Sequence, residues 1–376
     1  MIYVFGDIHG MYDSLKTFFT NKKQKFKPDD KFIFLGDYID YGPSSKEILD
    51  FLIDLNNKKK CVFLLGNHEY LMLDYLSYGP ITHKYNTHTW IQDNGGLKTL
   101  LNFDLEEKVR EKLIEISYNS GSDAGFKEPV VDRSVIDDCY LDFLLNLKGH
   151  HVEEIEGHKF LFSHSAFPYT DNKRYKPTYL KEKTKDEILE IQMKFKKYSD
   201  YAQGYRDKII CGEDNNLWNR RSINKIKDYI MICGHTPCNL LDRYHKKLIK
   251  KTDYDLGQLK PFIFDSKPET IFYNYSSYKK EIFVNDSQLD EITMIDIDTG
   301  VRYGNCLTVL KIDENFLNED KWRNIDEYLY SSEHDSSRSS IIYALQFWPY
   351  QRIKRDEQYN LPHKRDNYRK LKIKFK

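Results

Sequence analysis

Asp7 with His9, Asp37 with Asp40, and Asn67 with His68 are pairs of side chains able to bind a cation or move a proton. Each pair follows a short apolar run closed by Gly, in IYVFGDIHG (residues 2–10), FIFLGDYID (32–40) and VFLLGNHE (62–69). Carboxylate, imidazole and an amide oxygen together suit borderline divalent ions such as manganese, iron or zinc. A carboxylate between two such groups can bridge two ions, and Asp37, in the central segment, is the natural candidate. Two ions about 3.5–4 Å apart are an arrangement for phosphoester hydrolysis. They hold phosphoryl oxygens and lower the pKa of a water, which supplies hydroxide for in-line attack.

The elements that must position these groups are legible around them. The Val, Ile, Phe, Tyr and Leu runs suit buried strands. After Gly10, Leu15, Phe18 and Phe19 fall on one helical face, with Asp13 or Ser14 placed to cap it. After Pro43, Ser44 or Ser45 is placed to cap a helix whose apolar positions are Ile48, Leu49, Leu52, Ile53 and Leu55. A third helix begins at Tyr70. Repeated strand–loop–helix units predict parallel strands with crossover helices, and ligands collect beyond the carboxyl ends of such strands. Residues 98–150 read as mostly helical, with further strands over His158–Ser163, Tyr229–Cys233, Glu291–Ile297 and Cys306–Ile312. His164, His235 and Asp298 follow the first three of these. A surface hairpin over 272–284 and a helix over Trp322–Tyr330 complete the reading.

Composition narrows the class without naming a partner. Lysine plus arginine equals aspartate plus glutamate at 58 each, so net charge selects no polyanionic ligand. A 40% apolar share with 15% aromatic supplies a core and excludes a disordered chain. Six scattered cysteines read as buried thiols of a reducing compartment. There is no leader-like segment, and no apolar run approaches the roughly 18 residues of a membrane span, so the expected location is cytoplasmic. The last 26 residues carry ten basic side chains, from Arg352 to Lys376, against three acidic ones. That run is either a solvated tail or a contact for an acidic partner, nucleic acid or membrane surface.

The set Gly6-Asp7-Ile8-His9-Gly10, Gly36-Asp37-Tyr38-Ile39-Asp40, Gly66-Asn67-His68-Glu69, His164 and Gly234-His235-Thr236 looks like the metallophosphoesterase signature. More narrowly it resembles the phosphoprotein phosphatases, and among them the short bacterial and bacteriophage serine/threonine phosphatases. Trp90 to Gly96, Leu217-Trp218-Asn219-Arg220, and Asp298-Thr299-Gly300 with Leu307–Leu310 are similar to segments of those enzymes. The resemblance implies an α/β fold of two packed mixed β-sheets flanked by helices. It spans a catalytic domain over residues 1–312 with an insertion at about 240–290, and leaves 313–376 as a carboxyl-terminal extension.

Carried across motif by motif, the resemblance implies Asp7, His9 and Asp37 on one divalent ion, with Asp37, Asn67, His164 and His235 on the other. Manganese is the foremost expectation, with iron or zinc as alternatives. His68, held by Asp40, would protonate the leaving alkoxide, and Arg220 would grip the phosphoryl oxygens. Asp298 would have a supporting part. The expected substrate is a phosphoprotein or phosphopeptide. One departure stands out: the family carries Arg after the last Asp of its second motif, and here the residue is Tyr41. Phosphate binding should then be weaker unless Arg221, Arg243 or Arg302 reaches in. Rival expectations are a symmetrical dinucleoside tetraphosphate hydrolase, which shares all the ligands, and a catalytically weakened phosphate- or RNA-binding module.

Overall fold

Alternation along the first strand, β1 (Ile2–Phe5), separates two apolar layers: Tyr3 and Phe5 face one way and Val4 the other. The computed structural model describes residues 1–20, 25–76, 90–91, 93–118, 133–155, 157–168, 183–207, 209–210, 215–220, 226, 228–237, 262–265, 292–298, 300–303, 307–312 and 329–332. In it β1 pairs in parallel with β2 (Lys31–Phe34), and β2 with β3 (Lys60–Phe63), in the register Val4–Ile33–Val62. Between these strands run α1 (Tyr12–Thr20) and α2 (Ser45–Lys58), and α3 (Asn67–Tyr75) follows β3. These are the crossover units the sequence predicts.

A second sheet holds β4 (His150–Ile155), β5 (His158–Ser163), β6 (Tyr229–Cys233), β7 (Phe262–Asp265) and β8 (Ile292–Asp296), in the order β4-β5-β6-β8-β7. Strands β5, β6 and β8 run parallel, with antiparallel β4 and β7 at the edges. The chain then returns to the first sheet through β9 (Leu307–Ile312) and β10 (Leu329–Ser332), both pairing antiparallel, to give the order β10-β9-β1-β2-β3. Leu329 and Tyr330 therefore belong to a strand, not to the helix expected over Trp322–Tyr330. Pairing there occupies the open edge of β9, which otherwise exposes unpaired backbone groups. The expected hairpin at 272–284, the insertion core at 240–261 and the basic tail at 351–376 lie outside the described residues.

Val4, Ile33 and Val62 from one sheet meet Phe160, Phe162 and Ile232 from the other to form the layer between them. On the outer face of the first sheet, Phe5 stacks on Phe34 at 4.3 Å and meets Phe18 of α1 edge-on at 5.1 Å. The two capping expectations are corrected. Asp13 and Ser14 lie inside the first turn of α1, and Ser44 makes no side-chain cap bond to α2. Ser45 instead turns its hydroxyl toward the backbone N–H of Asp40. Among the described residues no helix is long and apolar enough to cross a membrane.

All nine residues of α3 are buried, including Asp74. Burial pushes the Asp74 carboxyl up to about 7. The fold therefore favours the protonated acid, and stability is lost as pH rises from the unfolded carboxylate range through 7. Asp74→Asn should gain on the wild type by about 3 kcal/mol more at pH 8 than at pH 5. Urea unfolding at the two pH values checks this; an equal difference at both would show that the carboxyl titrates normally.

Candidate metal centre

The loops after β1, β2, β3, β5 and β6 carry Asp7, Asp37, Asn67, His164 and His235 to one place, and all five are buried. Asp37 stands at the middle. Its Oδ2 lies 3.4 Å from His9 Nε2, and its Oδ1 lies 3.4 Å from His164 Nε2. His164 Nε2 is also 2.9 Å from Asn67 Oδ1 and 3.2 Å from His235 Nδ1. Asp7 Oδ2 is 3.8 Å from His9 Nε2, and the Asp7 carboxylate accepts the His235 N–H at 3.1 Å. Two sets of donor atoms, His9–Asp37–His68 and Asp37–His164–His235, each lie within 4.8 Å of one another and share Asp37.

This donor set fits divalent cations. Nδ1 of His9 faces the Ile39 carbonyl at 3.2 Å and Nδ1 of His164 faces that of Leu35 at 2.9 Å. A proton held on Nδ1 leaves each Nε2 lone pair turned inward, as a ligand requires. His235 Nε2 is buried with no hydrogen-bond partner. Burial pushes His9 and His235 well below the ordinary histidine range and His164 to about 3, so the imidazoles are neutral. Burial, with the charges of Asp298 and Asp37, pushes Asp7 well up. Crowded buried carboxylates beside inward lone pairs are completed by positive charge.

The loops hold these groups in strained conformations. His9, Asp37, Asp40, Tyr41 and His235 all have positive φ, between 48° and 74°. Such residues cost about 1–3 kcal/mol each and persist where their surroundings over-determine them. The first loop is tied to the second by the N–H groups of Ile8 and His9 on the Asp37 carbonyl. Gly42 crosses Gly10 so closely that a Cβ on Gly42 would lie 2.3 Å from the Gly10 carbonyl carbon. The second loop closes on Glu69, in the first turn of α3. Its carboxylate accepts the N–H groups of Asp37 (2.9 Å), Tyr38 (2.8 Å), Ile39 (3.2 Å) and Gly66 (3.1 Å).

His68 stands apart from the other histidines by its partner. Its Nδ1 donates to Asp40 Oδ2 at 2.6 Å, and its Nε2 lies 3.8 Å from Asp37. Trp90 Nε1 donates to the same Asp40 oxygen at 2.6 Å, and Thr99, in α4 (Gly96–Leu101), donates to Oδ1 at 2.6 Å. Burial raises the Asp40 carboxyl, and these two bonds oppose the rise. Burial pushes His68 down to about 4, with the Asp37 charge pulling it upward. Arg220 is half-buried and donates to the His235 carbonyl at 2.9 Å and to Thr236 Oγ1 at 3.4 Å.

Among the described residues, the expected metal, proton-transfer and phosphate-binding side chains thus lie in one cluster or against it. Sequence reasoning did not see the roles of Glu69, Thr99 and Ser45. Glu69 was visible as the last residue of Gly-Asn-His-Glu, but its target, the second loop's backbone, carries no side-chain signal. Asp298 accepts the Gly300 N–H at 2.8 Å in a turn beside Asp7. Arg221 and Arg243 lie outside the described residues.

A family model of the calcineurin-like phosphoesterases matches residues 1–273, and the chain belongs to that family. It is therefore a metal-dependent phosphoester hydrolase by class. Among relatives, the zinc-dependent endopolyphosphatase of Saccharomyces cerevisiae is 27% identical over 274 residues, 67% of this chain and 78% of that one. A putative serine/threonine-protein phosphatase of Caenorhabditis elegans is 39% identical over 94 residues, covering 24% of this chain and 20% of its own length. The serine/threonine-protein phosphatase PP1-delta of the same organism is 43% identical over 70 residues, 18% of this chain and 22% of that one. The chain thus spans only about a fifth of the length of those two relatives. Among solved structures, a metallophosphoesterase from Sphaerobacter thermophilus aligns over 96% of this chain and 95% of its own, at 9% identity and TM-score 0.37.

Glu69→Gln puts an NH2 group where backbone N–H groups need an acceptor. Burial, with the Asp37 charge, raises the Glu69 carboxyl to about 8 against the bonds from Ile39 and Tyr38. The change should cost about 1–3 kcal/mol, the penalty for leaving a buried donor unpaired. It should also weaken divalent-ion binding by freeing Asp37. Urea unfolding and metal titration measure both, and unchanged values would show that the loop is held by other means.

Proposed function

We propose that this phosphoesterase is a serine/threonine protein phosphatase. The observation that carries the reading is the His68–Asp40 pair, bonded at 2.6 Å and set beside Asp37. A serine or threonine alkoxide is strongly basic and leaves only with a proton, which a positioned imidazolium supplies. Phosphoanhydrides, whether polyphosphate or dinucleoside tetraphosphate, expel weakly basic phosphates and gain less from such an acid. The short stretches of identity to the two nematode phosphatases support the same choice.

In this reading Asp7, His9 and Asp37 hold one divalent cation and Asp37, Asn67, His164 and His235 the other, with manganese the favoured metal. The bound pair supplies Lewis-acid charge to the phosphoryl oxygens and acidifies the attacking water. Arg220 grips the phosphoryl group with a planar, permanently charged fork, steadied by its bond to the His235 carbonyl. His68 Nε2 gives its proton to the leaving oxygen while Asp40 fixes the ring through Nδ1. Burial alone disfavours the imidazolium, and an arriving phosphate dianion adds the negative charge that restores it. Trp90 and Thr99 keep both Asp40 oxygens in place. The substrate is a phosphoprotein or phosphopeptide, and the buried free thiol of Cys233 suits a reducing, cytoplasmic setting.

Turnover of a phosphoserine peptide, diadenosine tetraphosphate and polyphosphate by the manganese-loaded protein tests the assignment. The phosphopeptide should be preferred. His68→Asn should lower its kcat about 100- to 10,000-fold, the range for a general acid, with two manganese ions retained. Asp37→Asn should lower the metal stoichiometry. Preference for diadenosine tetraphosphate would move the chain to the dinucleoside hydrolases, and phosphate binding without turnover would make it a binding module.

A further inference from the structure

Asp298 and Gly300 form a tight turn, with the Gly300 N–H on Asp298 Oδ1 at 2.8 Å and φ of +74° at Gly300. The single helical turn over Val301–Tyr303 follows at once. Val301 is buried in the main core, so the next side chain, Arg302, is delivered from an anchored backbone. Its guanidinium carbon sits 4.5 Å from the centre of the Tyr41 ring. That ring in turn lies 5.2 Å from both the His9 and His68 rings, which are 4.8 Å from each other. Tyr41 is fixed by its own backbone, whose carbonyl accepts the Lys98 ammonium at 3.0 Å. The Arg302 charge is felt at His9, His68, Asp37 and Asp298.

We propose that Arg302, held face-on by Tyr41, is a second phosphate-binding residue. It serves the His9–His68 side of the site while Arg220 serves the His235 side. A guanidinium resting on an aromatic face keeps its in-plane donors directed outward and is weakly hydrated, so little freedom is lost when it meets an oxyanion. Tyr41 contributes no charge of its own and acts as the platform that aims the arginine. The assignment rests on the phosphatase reading only for the identity of the physiological ester, since the ligand it predicts is the phosphoryl oxyanion itself.

Calorimetric titration of the manganese-loaded protein with inorganic phosphate is the test, with phosphopeptide turnover followed in parallel. Arg302→Gln should weaken phosphate about 10- to 100-fold, the factor set by one charge-assisted bond. Arg302→Lys should recover part of the loss, and Tyr41→Leu should weaken binding more than Tyr41→Phe. Unchanged melting temperatures and metal stoichiometry would separate these effects from misfolding. Phosphate affinity in Arg302→Gln within twofold of the wild type would overturn the proposal, as would a wild type that binds no phosphate. A wild type that binds phosphate through Arg302 but leaves the phosphopeptide intact would refute the protein phosphatase reading alone.

Discussion

One buried carboxylate carries the geometry of the centre. Glu69 accepts N–H groups from three successive residues of the second loop and from the Gly before its own helix. Four bonds to this carboxyl contribute about 0.5–1.5 kcal/mol each, against about 1–3 kcal/mol for a left-handed residue such as Asp37. The bonds win, and the strained backbone that aims Asp37 inward is the stable one. Because Glu69 also reaches back to the Gly66 N–H, it joins the second and third loops into one unit. Asp37 and the Asn67–His68 pair then move together or not at all.

Around that unit the sheets act as fixed mounts. Parallel β1, β2 and β3 end side by side, and β5 and β6 end against them across the Val4–Phe162 layer. Residues at such ends are placed by strand pairing rather than by long loops, which is why His164, far along the chain, finds Asn67 at 2.9 Å. Beyond Gly6, the first loop is secured by two N–H bonds to the Asp37 carbonyl and by the Gly10–Gly42 crossing. A side chain at Gly42 has no room there, so the closeness of the two loops is built into the residue type.

Much of this was legible in the residues before any coordinates. Apolar runs ending in Gly marked the strands because they are short, closed by Gly and rich in aromatic and β-branched residues. The ligand-capable residues were visible because each follows such a run. Other features were hidden, for identifiable reasons. Ser45 has the residue type of a helix cap but stands inside the first turn, and its hydroxyl serves Asp40 beside Thr99 from a distant segment. β10 was missed because Leu329 and Tyr330 read equally as a helix end until β9 lies alongside. Glu69 looked like part of a motif, but its partners are backbone groups, which every residue possesses.

The same physics explains why the centre separates two kinds of histidine. His9 and His164 point Nδ1 at peptide carbonyls, neutral acceptors that fix orientation and leave the ring uncharged. His68 points Nδ1 at a carboxylate, and that acceptor is itself clamped by Trp90 and Thr99. A carbonyl partner favours a ring that gives its lone pair to a cation, whereas a carboxylate partner stabilises a ring that has taken up a second proton. The distinction survives the common effect of burial, which lowers all of them. What sets His68 apart is that its Nδ1, rather than its Nε2, meets the carboxylate, at 2.6 Å.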